Sequence, residues 1–192
     1  TFKLIFDPTT TGPRTGVVYI ANSDTDEGTY DFCVRGTGTV AEIAVFSNLN
    51  EIVDGNMTPA ATNGTDFGTV DPSAGAVTNT MIITNSGTAI LYLTDADKVD
   101  LTGDTSDFSL DLTGIATNIA AGSYTTFKVI FDPATTGTKT GIVSIANNDG
   151  DENPYDFKVQ GLGAGPSPEM GVFSNLNEIV DGNMTPAATN GT

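Results

Sequence analysis

The chain has 192 residues, and its formal net charge of −17 comes from 24 acidic residues set against 7 basic ones. Such a surface repels nucleic-acid phosphates and anionic lipid headgroups, so the composition excludes nucleic acid as a partner. No apolar stretch approaches the roughly 20 residues needed to cross a bilayer, so we expect no direct membrane insertion in this segment.

Internal repetition organises the whole sequence. Residues 1–38 align with residues 126–163, and residues 42–65 align with residues 169–192. Within the second pair, the stretch SNLNEIVDGNMTPAATNGT occurs twice, letter for letter. The chain is therefore built from copies of one unit.

The alignment predicts three units. Residues 1–38 form the C-terminal part of one repeat, residues 41–163 form a complete repeat, and residues 168–192 form the N-terminal part of the next. We expect the chain to be a window onto a longer array of near-identical modules. The alternative is a short subunit whose ends pair with neighbouring chains by strand exchange.

Alternation of apolar and polar residues predicts strands, which we take in chain order. Phe2, Leu4 and Phe6 define the first apolar face, and Phe127 and Phe131 lie on the same face of a later copy. Further short runs of strand-forming residues, separated by turn signals, lie at residues 81–84, 89–93, 142–145 and 157–159. No segment shows a sustained helical period. Seven to nine strands in about 120 residues predict an all-β, immunoglobulin-like β-sandwich in tandem repeats.

The motifs resemble one known family. The run FDPATTGTKTGIVSIANNDGDENPYDFKVQGLG, together with EIAVFSNLNEIVDG, TDFGTV and ITNSGTAIL, is similar to the bacterial ASPM/hydin-like immunoglobulin-type repeats, the choice-of-anchor D domain family. This resemblance covers nearly the whole chain. It implies tandem sandwiches on large secreted or surface-anchored bacterial proteins, generally without catalysis. The first copy departs from the pattern at Gly28 and Thr29, where the complete repeat has Asn153 and Pro154.

An acidic loop between two predicted strands concentrates oxygen donors in both copies. Calcium binds six to eight such oxygens, so one hypothesis is a structural calcium site, and calcium is the one cofactor that the sequence suggests. The interpretation that we favour is a solvated hairpin turn, because the EF-hand spacing is absent. The candidate ligands are Asp149, Asp151, Glu152 and Asp156 in the complete repeat, and Asp24, Asp26, Glu27 and Asp31 in the first copy.

Residues that carry catalytic chemistry are scarce. The chain has no His, no Trp and a single cysteine, Cys33, whose counterpart in the complete repeat is Lys158. Nucleophilic chemistry that needs histidine, and zinc sites built on imidazole and thiolate, are therefore excluded. Carboxylate pairs alone leave a glycosidase compatible with the composition, but the modest aromatic content does not suggest a sugar-binding cleft. We expect no enzymatic activity.

Two functions are compatible with these features. The first is a structural repeat of a long extracellular bacterial surface protein, in which tandem Ig-like modules form a stalk or filament. Its expected location is extracellular or on the cell surface, and its expected partner is itself, head-to-tail or along a filament. The alternative is an adhesin that recognises glycan or protein through loops at one end of the sandwich.

Overall fold

The computed structural model describes residues 1–165, 172–174 and 177–179, and these residues contain strands, one short 3-10 turn at Ala61–Asn63 and no α-helix. The strands are β1 Gly12–Ala21, β2 Thr29–Gly38, β3 Ile43–Ser47, β4 Asn50–Ile52, β5 Asp66–Val70, β6 Val77–Asn85, β7 Leu91–Tyr92, β8 Asp100–Gly103, β9 Phe108–Asp111, β10 Asn118–Ile119, β11 Tyr124–Phe131, β12 Gly137–Ile145, β13 Tyr155–Gly163, β14 Val172–Ser174 and β15 Asn177–Ile179.

Two sheets enclose one apolar interior. The first has the strand order β4-β3-β6-β11-β9, and the second has the order β5-β13-β12-β8. Neighbouring strands are antiparallel except β5 and β13, which run parallel. The buried apolar cluster draws its side chains from both sheets, beginning at Ala41 and ending at Val159. The fold is an all-β, immunoglobulin-like β-sandwich, as the sequence predicts.

Alternation along the strands places the core. In β11, Thr125, Phe127, Val129 and Phe131 are buried, and the residues between them face outward or are only partly covered. β13 follows the same rule with Tyr155, Phe157 and Val159. Because successive side chains of a strand point to opposite faces, these sequences can bury one face only when a second sheet covers it.

Three phenylalanines form the centre of the interior. The Phe108 and Phe131 rings stack with their centroids 4.7 Å apart, and Phe67 meets Phe108 edge-on at 5.5 Å. Gly161 lies directly under the Phe131 ring, and a Cβ atom there would come within 2.4 Å of it. The glycine is therefore required by close packing.

Tyr155 ties the second sheet to the end of β4. Its side chain is almost fully buried, and its hydroxyl donates a hydrogen bond to the Ile52 carbonyl. Burial raises the pKa of Tyr155 to about 12. The phenol therefore stays protonated at neutral pH and remains a donor.

Two of the strand predictions are wrong in detail. Phe2, Leu4 and Phe6 are exposed and lie outside any strand, whereas the matching residues of β11 are hydrogen-bonded between β6 and β9. Among the described residues, no counterparts of β6 and β9 pair with the first copy, so its backbone has no ladder to join. The complete repeat also holds more strands than the seven to nine predicted, because strands of two or three residues such as β10 and β4 are too short to show alternation.

The complete repeat begins and ends at opposite ends of the sandwich. At its start, the Ile43 N–H donates to Asp149, which lies in the loop before β13. At its finish, Gly163 is the last residue of β13, and the Ala164 N–H donates to the Val70 carbonyl. β13 has 9 residues, so the two points are separated by about 26 Å along that strand.

Candidate functional site

The acidic loop between β12 and β13 is shaped by one buried asparagine. The Asn147 amide donates to the carbonyls of Ile145 at 3.0 Å and Glu152 at 2.8 Å, and its Oδ1 accepts from the Asp149 N–H at 2.7 Å. The Asn147 N–H in turn donates to Asn153 Oδ1. Side-chain bonds of this kind close a turn without needing a bound ion.

Asp149 connects this loop to the first strand of the repeat. Its side chain is buried, and Oδ2 accepts the Ile43 N–H at 2.8 Å. This bond satisfies a backbone donor at the start of β3, where the chain enters the sandwich. The contact joins residues 106 positions apart.

A third carboxylate joins Asp149 and Asp151. One carboxylate oxygen each from Glu42, Asp149 and Asp151 lie within 4.8 Å of one another. Sequence reasoning missed Glu42, because it belongs to the entry segment and only folding brings it to the loop. Three carboxylates at this spacing could supply part of a calcium coordination sphere, whose remaining oxygens would come from carbonyls or water.

Glu152 experiences the concentrated negative charge. Burial and the carboxylates of Asp149, Glu42 and Asp54 raise its pKa above the ordinary glutamate value. Its Oε2 atom is buried and has no hydrogen-bond partner. The charged form of Glu152 is therefore disfavoured, and a cation nearby would relieve it.

Asp156, the fourth candidate ligand, lies on β13 and faces a different neighbour. Its N–H donates to Asp54 Oδ1 at 2.7 Å, and its carbonyl accepts the Gly55 N–H at 2.8 Å. Its Oδ1 atom is buried without a hydrogen-bond partner. The Asp156 carboxylate is not part of the three-carboxylate group.

The first copy of the loop keeps the main bonds of the asparagine side chain and lacks the third carboxylate. The Asn22 amide donates to the Glu27 carbonyl at 2.7 Å, and Asn22 Oδ1 accepts the Asp24 N–H at 2.6 Å. Hydrogen bonds with Asp26 lower the pKa of Asp24. Among the residues that the structure describes, no group of three carboxylates forms from the first-copy candidates, Asp24, Asp26, Glu27 and Asp31.

No protein-family model matches the chain, and no curated protein sequence matches it. Among solved structures, it is similar to a protein of unknown function from Porphyromonas gingivalis W83, with 15% identity, a TM-score of 0.43 and coverage of 82% of this chain and 69% of that one. It is also similar to an ASH/PapD-like domain of human CEP192, with 10% identity, a TM-score of 0.40 and coverage of 67% and 89%.

A third match is the surface layer protein SbsC, domains 1–6, with 15% identity, a TM-score of 0.38 and coverage of 81% of this chain and 17% of that one. At these TM-scores and identities, the matches carry no conclusion about function. These strands and side chains define an Ig-like β-sandwich repeat with a cluster of three carboxylates beside the start of β3. The described residues contain no helix long and apolar enough to span a membrane.

Proposed function

We propose that the chain is a structural segment of a long extracellular bacterial surface protein, in which tandem Ig-like repeats of the choice-of-anchor D type form a stalk or filament. Its role is mechanical extension, and its partner is itself. The motif resemblance supports the family assignment, and the internal repetition supports the array.

One observation carries this proposal: the repeat starts and finishes at opposite ends of its sandwich. Ile43 is bonded to the loop that precedes β13, and Gly163 ends β13 itself. Repeats joined in this way add length along the strand direction, whereas adjacent termini would favour folding back. The junction between the first copy and the complete repeat is also short, with only residues 39–42 between β2 and β3.

The surface chemistry is compatible with this role. A net charge of −17 keeps adjacent modules apart and soluble, and the chain holds no histidine for acid–base or nucleophilic catalysis. A role without catalysis is therefore part of the proposal. Calcium at the acidic loop stays a prediction, and an ion held by Asp149, Asp151 and the neighbouring Glu42 would stiffen the start of the complete repeat.

Small-angle scattering on polypeptides with one, two and four copies of residues 41–165 tests the proposal. The maximum dimension should grow by a constant increment of about 35–45 Å per copy, the length of strands plus loops. A matched polypeptide with a Gly/Ser linker of about 20 residues between copies should lose this regularity. Increments that shrink with copy number would show that the modules fold back, and would contradict the stalk.

The adhesin alternative has less support. Sandwich-end recognition favours exposed aromatic side chains on loop tips. The exposed tyrosines of the described residues lie in strands: Tyr19 in β1, Tyr30 in β2, Tyr92 in β7 and Tyr124 in β11. Electron micrographs of the purified chain discriminate between the two, since regular fibres favour the filament and short rods with affinity for a glycan or protein favour the adhesin.

A further inference from the structure

One edge of the N-terminal hairpin is unpaired among the described residues, whereas the corresponding edge in the complete repeat is hydrogen-bonded. β1 and β2 form a two-stranded sheet, so within the described residues the outer edge of β2 joins no third strand. β2 corresponds to β13, whose outer edge is bonded to the segment running from β4 to β5. An unpaired edge presents backbone donors and acceptors that readily accept another strand.

Five hydrogen bonds define this edge in the complete repeat. Each joins β13 to a residue between the end of β4 and the start of β5. The Tyr155 hydroxyl donates to the Ile52 carbonyl, and the Asp156 N–H donates to Asp54 Oδ1 at 2.7 Å. The Asp156 carbonyl accepts the Gly55 N–H at 2.8 Å. The Lys158 N–H donates to the Asn56 carbonyl at 2.8 Å, and the Gln160 N–H donates to the Thr65 carbonyl at 2.9 Å.

The C-terminal tail repeats the segment that makes these bonds. Residues 174–192 are identical in sequence to residues 47–65, so every partner of β13 has a counterpart: Ile179, Asp181, Gly182, Asn183 and Thr192. In the part of the tail that the structure describes, β14 pairs with β15 in the register Val172↔Ile179. β3 and β4 pair in the matching register, Val45↔Ile52.

The N-terminal hairpin retains the donors and acceptors that would bond to the tail. Tyr30 and Asp31 are the same residue types as Tyr155 and Asp156. The other two positions, Cys33 and Arg35, differ from Lys158 and Gln160 only in side chain, and the bonds at those positions use the backbone N–H. β1 and β2 also pair in the register of β12 and β13, with Val17↔Cys33 matching Ile142↔Lys158.

We propose that the tail, residues 172–192, of one copy docks on the outer edge of β2 in a second copy, as an added strand segment. This interface rests on the proposed function and names how separate copies of this polypeptide meet, in addition to the covalent joining of tandem repeats. Because the tail of each copy meets the hairpin of the next, the contact is heterologous and does not need to close. The contact uses the outer edge of the hairpin, which corresponds to the edge where the five bonds of the complete repeat lie.

Disulfide trapping tests which chains meet. In the complete repeat Asn56 is the bridge partner of Phe157, so their side chains share a face, and the matching positions, Phe32 and Asn183, should lie within disulfide reach across the interface. A Phe32→Cys/Cys33→Ala variant is mixed with a tagged Cys33→Ala/Asn183→Cys variant and oxidised. We expect the mixed dimer to exceed both homodimers and to vanish under reductant.

Other products overturn the proposal. Homodimers at statistical or higher yield would show that no tail-to-hairpin contact exists. A chain that carries Phe32→Cys, Cys33→Ala and Asn183→Cys together provides a second arm, in which a crosslinked monomer would show that the tail closes on its own hairpin. In neither case would the scattering increments of tandem repeats change, so this inference can fail while the stalk proposal survives.

A backbone variant tests the mode of contact. The Lys158 N–H points away from β12 towards Asn56, so the Cys33 N–H points away from β1. Cys33→Pro removes this outward donor and leaves the β1–β2 bonds intact, whereas Cys33→Ala keeps the donor and removes the exposed thiol. In sedimentation velocity under reductant, Cys33→Ala should associate with rising concentration, and Cys33→Pro should associate about tenfold more weakly. Equal association of the two variants, or no association of either, would refute the edge contact. If Cys33→Pro is unfolded, the disulfide-trapping experiment decides instead.

Discussion

The hairpin of the first copy and the hairpin of the complete repeat have nearly the same sequence and opposite environments. Phe131 is 0% exposed and its counterpart Phe6 is 51% exposed, and Tyr155 is 1% exposed where Tyr30 is 54% exposed. Both hairpins nevertheless keep the same strand register. Both also hold a phenylalanine ring over a glycine, with Phe6 over Gly36 as Phe131 lies over Gly161.

This difference separates local structure from burial. Register, the turn built by asparagine and the ring over the glycine arise within about 38 residues, so both copies form them. Burial requires the sheet that contains β3, β6 and β9, and among the described residues only the complete repeat brings this sheet to its own hairpin. The apolar contribution to stability should therefore belong to the complete repeat alone.

Removing the central ring should give the largest contrast. Phe131→Ala deletes a fully buried side chain that stacks on Phe108, and we expect it to lower the free energy of unfolding by about 3–5 kcal/mol. Phe6→Ala removes the same side chain from the exposed copy and should cost less than about 0.5 kcal/mol. Urea denaturation of both variants checks this, and similar losses would mean that the first copy is covered.

Calcium should distinguish the two acidic loops. At free calcium about 100 times the dissociation constant, binding at Glu42, Asp149 and Asp151 would stabilise the fold by about 2.7 kcal/mol. Asp151→Asn should remove most of this gain, and Asp26→Asn, in the first copy, should leave it intact. Melting curves with calcium and with chelator measure the effect, and a midpoint that chelator leaves unchanged would remove the metal site.

Adding a methyl group under the ring should separate the copies next. Gly161→Ala places a Cβ within 2.4 Å of the buried Phe131 ring, and we expect a loss of about 1–3 kcal/mol from overpacking. Gly36→Ala creates the same clash with Phe6, but that ring is half exposed and can move aside. Thermal unfolding of the matched pair should show a lower midpoint for Gly161→Ala only.

The tyrosine hydroxyl should matter in one copy. Tyr155→Phe removes the donor to the buried Ile52 carbonyl, and we expect a cost of about 1 kcal/mol. Tyr30→Phe should be neutral, since Tyr30 is exposed. Spectroscopic titration offers a second readout, because the phenol that ionises at about 12 should be missing from Tyr155→Phe. Retention of that transition would assign it to another tyrosine.

The smallest contrast concerns pH. The pKa of Glu152 is raised in the folded protein, so the native state holds this proton more tightly than the unfolded chain does. The charged form of Glu152 therefore lowers the free energy of unfolding at pH values above the folded pKa. The lost stability returns as the pH falls through that pKa. Glu152→Gln should raise the free energy of unfolding at pH 7 by a few tenths of a kcal/mol and flatten this pH dependence. Glu27→Gln, in the first copy, should change neither quantity in a calcium-free pH series.

Sequence reasoning reached the fold and part of the candidate site. Alternation along residues 125–131 and 157–159 predicted strands that the structure contains, and with them the sandwich. The same alternation at Phe2, Leu4 and Phe6 predicted a strand that is absent, because pairing depends on neighbours as well as on pattern. The site prediction found Asp149 and Asp151 and missed Glu42, which no local spacing links to the loop.

By itself, the sequence determined the repeat, the strand period and the turns, since each depends on residues close together in the chain. Only the tertiary structure decided which copy is buried, which carboxylates meet and where the repeat starts and finishes. The physical reason is that burial and charge clustering depend on distance in space. Asp149 and Ile43, 106 positions apart, are brought together only when both sheets have formed.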